Sequence, residues 1–200
     1  MITEQRIKSQ FSKVFKTSDY VPFKQTADYY LKVAATIKRE NIEAPDVLKL
    51  WFRNVQKRLF IGIATEMLLK AIFLKNDFNI NKSKKKKRIN FPEKIKNLNE
   101  SDLTPTDTYT LGQLIGELKK VILKNDDYEK IIEVLNICKV FRNKEGHVAV
   151  HWHEFEIEDF QKIEYSIKRL YEIGFSEIID FEISMTKNQG SGKFEKLRTN

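Results

Sequence analysis

The chain has 200 residues, 41% of them hydrophobic, which suits one compact domain able to bury roughly 70% of its extended-state surface without a staple. Seven glycines, four prolines and one cysteine, Cys138, argue against a turn-rich β-sandwich, a disulfide framework and a Cys-based zinc ribbon, and fit a reducing compartment. The net charge of +8 is unevenly placed: residues 82–96 hold eight Lys/Arg against Glu93, residues 184–200 hold four against Glu195, and the rest is close to neutral.

The residues that follow Met1 are mostly polar and charged, with no apolar run of a secretory pattern. Thr3 can cap a helix in which Ile7, Phe11, Val14 and Phe15 share a face. Pro22 opens a second helix to about Asn41, with Ala27, Tyr30, Leu31, Ala34 and Ile37 on its stripe. Pro45 opens a third, running to about Lys75. From Leu59 it is apolar nearly all round, so it belongs at the centre of the core. Its apolar stretch, Leu59 to Leu74, contains Glu66 and Lys70 and is too short to span a membrane, so the chain reads as cytoplasmic, with no membrane partner.

Residues 76–91 read as an exposed basic loop, 92–97 as one helical turn and 102–107 as a connection. Thr110 to Gln113 has the form of a capping box and starts a fourth helix to about Lys124. Asp126 or Asp127 caps a fifth, with Ile131, Ile132, Leu135, Cys138 and Val140 leading toward Arg142. A last helix spans about Glu158 to Ile173, with Phe160, Ile163, Ile167, Leu170 and Tyr171 inward and Gly174 as its stop. Ile179, Phe181, Ile183 and Met185 alternate with polar residues, as in a short strand or an arm lying on a neighbour. Beyond Ser184 the composition is that of a flexible tail. The expected fold is an all-α bundle of about six helices: a single domain over 1–183 and a basic tail over 184–200.

Chemistry concentrates at one place. The three histidines, His147, His151 and His153, lie within seven residues, just after Arg142-Asn143-Lys144-Glu145-Gly146. Histidine titrates near neutral pH and can move a proton from a 2′-hydroxyl or to a leaving 5′-oxygen. Arginine offers a permanent bidentate cation to the phosphate, and the Asn143 carboxamide can orient either partner. The same residues admit other readings. Arg142 can compensate a helix C-terminus with Gly146 as its cap. The three histidines with Glu154 can hold a transition metal, although the alternation of Val148, Val150 and Trp152 suggests an extended turn, and no metal is expected. No glycine-rich phosphate loop is present, and no cofactor is expected.

With Arg142, Asn143 and His147 the chain resembles the HEPN superfamily, whose motif is Arg, four to six residues, then His. Glu66-Met67-Leu68-Leu69-Lys70-Ala71-Ile72-Phe73-Leu74 resembles that family's early core helix. The resemblance covers about residues 47–174. It implies a metal-independent endoribonuclease leaving 2′,3′-cyclic phosphate ends, acting as a toxin or phage-defence effector, with an antitoxin or other regulatory protein as a further partner. Arg142, Asn143 and His147 would be its catalytic residues. The alternative is a non-catalytic helical module that binds nucleic acid, a nucleotide or a protein. The position two after the motif His, a Tyr in some family toxins, is Ala149 here.

Lys84, Lys85, Lys86, Lys87 and Arg88 would steer RNA by charge, or form only a solvated loop. Glu66 is expected near the centre, either paired with Lys70 or supporting Arg142. On an ideal helix Arg142 and His147 stand about 140° apart. Gly146 must break the helix, Arg142 must curl back, or a two-fold homodimer, which the resemblance favours, must pool two motifs.

Overall fold

The computed structural model describes residues 5–6, 19–37, 47–84, 89–122, 127–145, 155–184 and 192–199. The expected first helix falls almost wholly outside them. Five α-helices and two small antiparallel sheets are seen among the described residues: α1 (Val21–Thr36), α2 (Val47–Lys75), β1 (Asn81–Ser83), β2 (Leu103–Thr108), α3 (Leu111–Glu117), α4 (Tyr128–Val140), α5 (Ile157–Phe175), β3 (Glu177–Phe181) and β4 (Phe194–Thr199). The chain is therefore helix-rich but not purely α. None of these helices is long and apolar enough to cross a membrane.

The core is built on α2. Its Ile61, Ala64, Leu68, Leu69, Ala71, Ile72 and Phe73 are fully buried, which needs neighbours on several sides. From one side α1 lays Ala27, Leu31, Ala34 and Ala35 against it, and the alanines allow a close approach. Helix α4 adds Ile131, Val134, Leu135 and Cys138, and α5 adds Phe160, Ile163, Ile167, Leu170 and Tyr171, all at three- and four-residue spacing. Each such Leu, Ile or Phe contributes roughly 1.5–3 kcal/mol by leaving water.

Local signals explain most helix starts. The Asp19 carboxylate accepts the Val21 amide at 2.8 Å, with Pro22 in the first turn. Thr110 and Gln113 form the expected capping box, but α3 tightens into a 3₁₀ turn at Leu118–Lys120 and ends before Lys124. Asp127 stands at the start of α4 without a side-chain cap bond; its carboxylate lies 3.3 Å from Arg169 instead. Gly174 does not end α5. Ser176 does, in the left-handed region at φ 56°. Gly174 serves packing: a Cβ there would lie 2.7 Å from Ile72 Cγ1.

Three short strands replace segments expected to be irregular. In the supposed loop 76–91, β1 pairs with β2 through Asn81↔Thr108 and Ser83↔Leu103. Phe91 stacks between Phe73 at 5.4 Å and Tyr109 at 3.8 Å, fastening the chain that follows the basic run to the end of α2. The tail is not all free either: β4 pairs antiparallel with β3, Phe181 opposite Phe194 and Asp180 opposite Glu195. The expected strand is thus real, but it covers Glu177–Phe181 and has an intramolecular partner.

Candidate active site

The motif arginine stands where α4 changes its geometry. After Val140 the backbone widens into a π turn, Phe141–Glu145. Such i→i+5 turns are rare, short and frequent at functional sites. Phe141 is fully buried and meets Phe155 edge-on at 4.7 Å, which anchors the turn to the start of the α5 segment.

The turn lies directly on α2. At Gly62 an added Cβ would sit 2.6 Å from the Arg142 amide nitrogen and 2.8 Å from its Cα. Only a residue without a side chain lets the two backbones meet. Gly62→Ala gains up to about 1 kcal/mol of helix propensity, yet overpacking against a backbone costs about 1–3 kcal/mol. The expected net result is a lower thermal midpoint in calorimetry; a midpoint at or above wild type would show that the contact has slack.

The Arg142 side chain then runs along α2 to Glu66. Its Nε donates to Glu66 Oε2 at 2.9 Å, while Lys70 Nζ donates to Glu66 Oε1 at 2.7 Å. Glu66 thus holds both cations, one on each oxygen, and the two expectations for it are combined. Side-chain exposure is 11% for Glu66, 6% for Lys70 and 36% for Arg142, so the carboxylate and ammonium are shielded and the guanidinium reaches solvent. Two cations against one carboxylate leave a net positive charge. The bond to Glu66 uses Nε, so the Nη edge, the fork that suits a phosphate, is not part of it.

Asn143 and Lys144 follow on the turn with exposed side chains. His147, and with it His151 and His153, lies outside the described residues, as do Gly146, Trp152 and Lys85 to Arg88. Lys84 is described: its Nζ donates to the Ser101 carbonyl, and its amide to the Asp102 carbonyl at 2.8 Å, so the first member of the basic run helps secure β1. Cys138, behind the turn and beside Thr65, has its thiol pushed up to about 12 by burial and stays protonated.

Two residues of this region, Arg58 and Gly62, escaped the sequence reading. Arg58 is 7% exposed and lies over the Phe155 ring at 5.5 Å, one turn before Gly62. Arg58, Gly62, Glu66 and Lys70 recur every four residues, a stripe of charged and small residues that runs into the apolar stretch Leu59 to Leu74. That stripe is the signal that would have found Arg58 and Gly62. It faces the π turn. No family model, curated protein or solved structure matches the chain.

Proposed function

We propose that this chain is a HEPN-type, metal-independent endoribonuclease of the cytoplasm, serving as a toxin or phage-defence effector. The observation that carries the reading is a half-exposed arginine fixed by a shielded carboxylate on a π turn, five residues before a histidine. An arginine held through Nε is preorganised, so little side-chain entropy is lost when its outer edge takes a phosphate. In the proposed step His147 moves the proton of the 2′-hydroxyl attack or of the 5′-oxygen departure, Arg142 neutralises charge on the phosphate oxygens, and Asn143 orients the group. The hydroxyl forms the new P–O bond, the 5′-oxygen leaves, and a cyclic phosphate remains.

The test is RNA cleavage in excess EDTA with end-group analysis. The expected products carry 2′,3′-cyclic phosphates; an absolute requirement for a divalent ion would overturn the reading in favour of a histidine-held metal.

The proposal includes a homodimer. Val140, Ile157 and Tyr165 are exposed on α4 and α5, and Tyr165 lines an open groove of about 460 Å³ between these helices that also carries Lys130 and Lys162 as well as Glu133 and Glu158. Equal numbers of each sign suit a self-complementary face. An antitoxin or other regulatory protein would be a further partner.

A second reading draws on the same ion pair. If Arg142 serves only to neutralise Glu66, the chain is a non-catalytic module that binds nucleic acid, a nucleotide or a protein. Retention of RNA binding without cleavage would favour it.

The basic run supplies affinity in this proposal. Replacing Lys84 to Arg88 by Gln should weaken RNA binding and flatten its dependence on salt, because each phosphate contact releases a counterion. The single-turnover rate at saturating RNA should hold. An unchanged salt slope in a titration would reduce the run to a solvated loop.

A further inference from the structure

The chain is gripped firmly as far as Ser184. Lys57 Nζ donates to the carbonyls of Ile37 at 3.1 Å and Ile183 at 2.5 Å, and the Glu164 carboxylate accepts the amides of Ile183 at 2.5 Å and Ser184 at 2.7 Å. The strand β4 is held differently. Glu195 to Arg198 are exposed, Leu197 at 59%. Besides its pairing with β3, three side chains fasten it. Lys193 reaches Asp180 Oδ2 at 2.5 Å and Glu182 Oε1 at 3.7 Å. Phe194 meets the rings of Tyr171 at 6.0 Å and Phe181 at 6.2 Å. Lys196 Nζ lies 3.0 Å from Asp28 Oδ2 and 3.7 Å from Glu177 Oε2.

What lies beneath the strand is chemically specific. Lys24, 6% exposed, sits 2.7 Å from Glu177 and 3.7 Å from Asp28, over the rings of Tyr171 and Phe175 at 5.2 Å each. The Tyr171 hydroxyl donates to Asp28, and burial holds that phenol well above its ordinary range, so it stays neutral. Two shielded carboxylates against one buried ammonium leave one negative charge, which Lys196 neutralises from above. Unpaired, that charge would be costly. The face therefore has an acidic rim, an aromatic floor and an acidic pit, in register with an extended Lys-Phe-x-Lys segment.

We propose that this face, formed by α1, α5 and β3, is a docking site for an extended Lys-Phe-x-Lys segment of a partner protein, added to β3 as a strand, and that β4 is its resident competitor. Main-chain pairing supplies affinity in strand addition, and pockets for alternate side chains supply specificity. A tethered strand acts at an effective concentration on the order of millimolar, so the incoming segment must bind in competition with it.

The experiment uses the full chain and a labelled synthetic peptide of residues 192–199. Two substitutions in the chain weaken the resident strand by unrelated means. Lys196→Glu sets a third carboxylate against Asp28 and Glu177. Gly192→Ala places a Cβ 1.9 Å from the Glu182 carbonyl oxygen. In both variants the β4 amides should exchange faster with solvent while the helices keep their protection. The peptide should bind each variant at least tenfold more tightly than wild type, and peptides carrying Lys196→Glu or Phe194→Ala should not bind. Free exchange at β4 without peptide binding would overturn the proposal. So would binding indifferent to both peptide substitutions, or β4 protection unchanged in both variants.

Discussion

His147→Ala lowers the rate of RNA cleavage by about 10²–10⁴-fold, the usual contribution of a positioned acid or base, while the chain melts as wild type does. Arg142→Ala loses about 10²–10³-fold, the scale of one preorganised charge-stabilising donor, because its outer edge is the group that would meet the phosphate. Single-turnover assays on saturating RNA measure both, with circular dichroism on the same samples. Equal cleavage by wild type and His147→Ala would end the ribonuclease reading. The pair also tests the dimer. Mixed chains, each inactive alone, regain part of the activity if Arg142 of one protomer works with His147 of the other, and regain nothing if every chain carries its own complete site.

Glu66→Leu costs about 3–5 kcal/mol of folding stability, the penalty for removing one partner of a buried ion pair. Most of that loss is assigned to Lys70, whose side chain is only 6% exposed and would be left with an unpaired ammonium; Arg142, at 36%, can turn to water. A second change then becomes informative. Lys70→Met on top of Glu66→Leu recovers most of the stability, since apolar replacement of a buried pair is often neutral or better. Urea midpoints report stability, and cleavage reports the site. The double variant should fold well and still cleave poorly, because Arg142 has lost the carboxylate that aims it. Full activity in that variant would mean that Glu66 does not position Arg142.

The legible parts of the fold were those written locally. The stripes of α1, α4 and α5, the apolar α2 and the Thr110–Gln113 box each depend on residues within a few positions of one another. The strands were less legible, because their partners are distant. Nothing near Lys196 announces Asp28 or Glu177, and the polar stretch Asn81–Ser83, at the edge of the basic run, looks solvated until Leu103–Thr108 pairs with it. Gly174 misled because a glycine near a helix end serves either a left-handed turn or a close contact, and only the position of Ile72 decides. At the site, Glu66 was legible as a charge too deep to stand alone. The π turn was not, since its five residues carry no pattern that separates i→i+5 from i→i+4 bonding.

That wide turn sets the phase between two surfaces. Val134 and Cys138 of α4 and then Phe141 at the head of the turn keep one side toward the core at ordinary spacing, and the next residue must leave that side to lie along α2. A regular helix advances about 100° per residue, so it ties the direction of everything downstream to the core stripe upstream. The π turn breaks that tie. It works as a rotary joint fixed at one setting, and the setting is carried by chain length: one residue fewer between Arg142 and Glu145 would restore the regular winding and turn whatever follows by about 100° relative to the core stripe of α4.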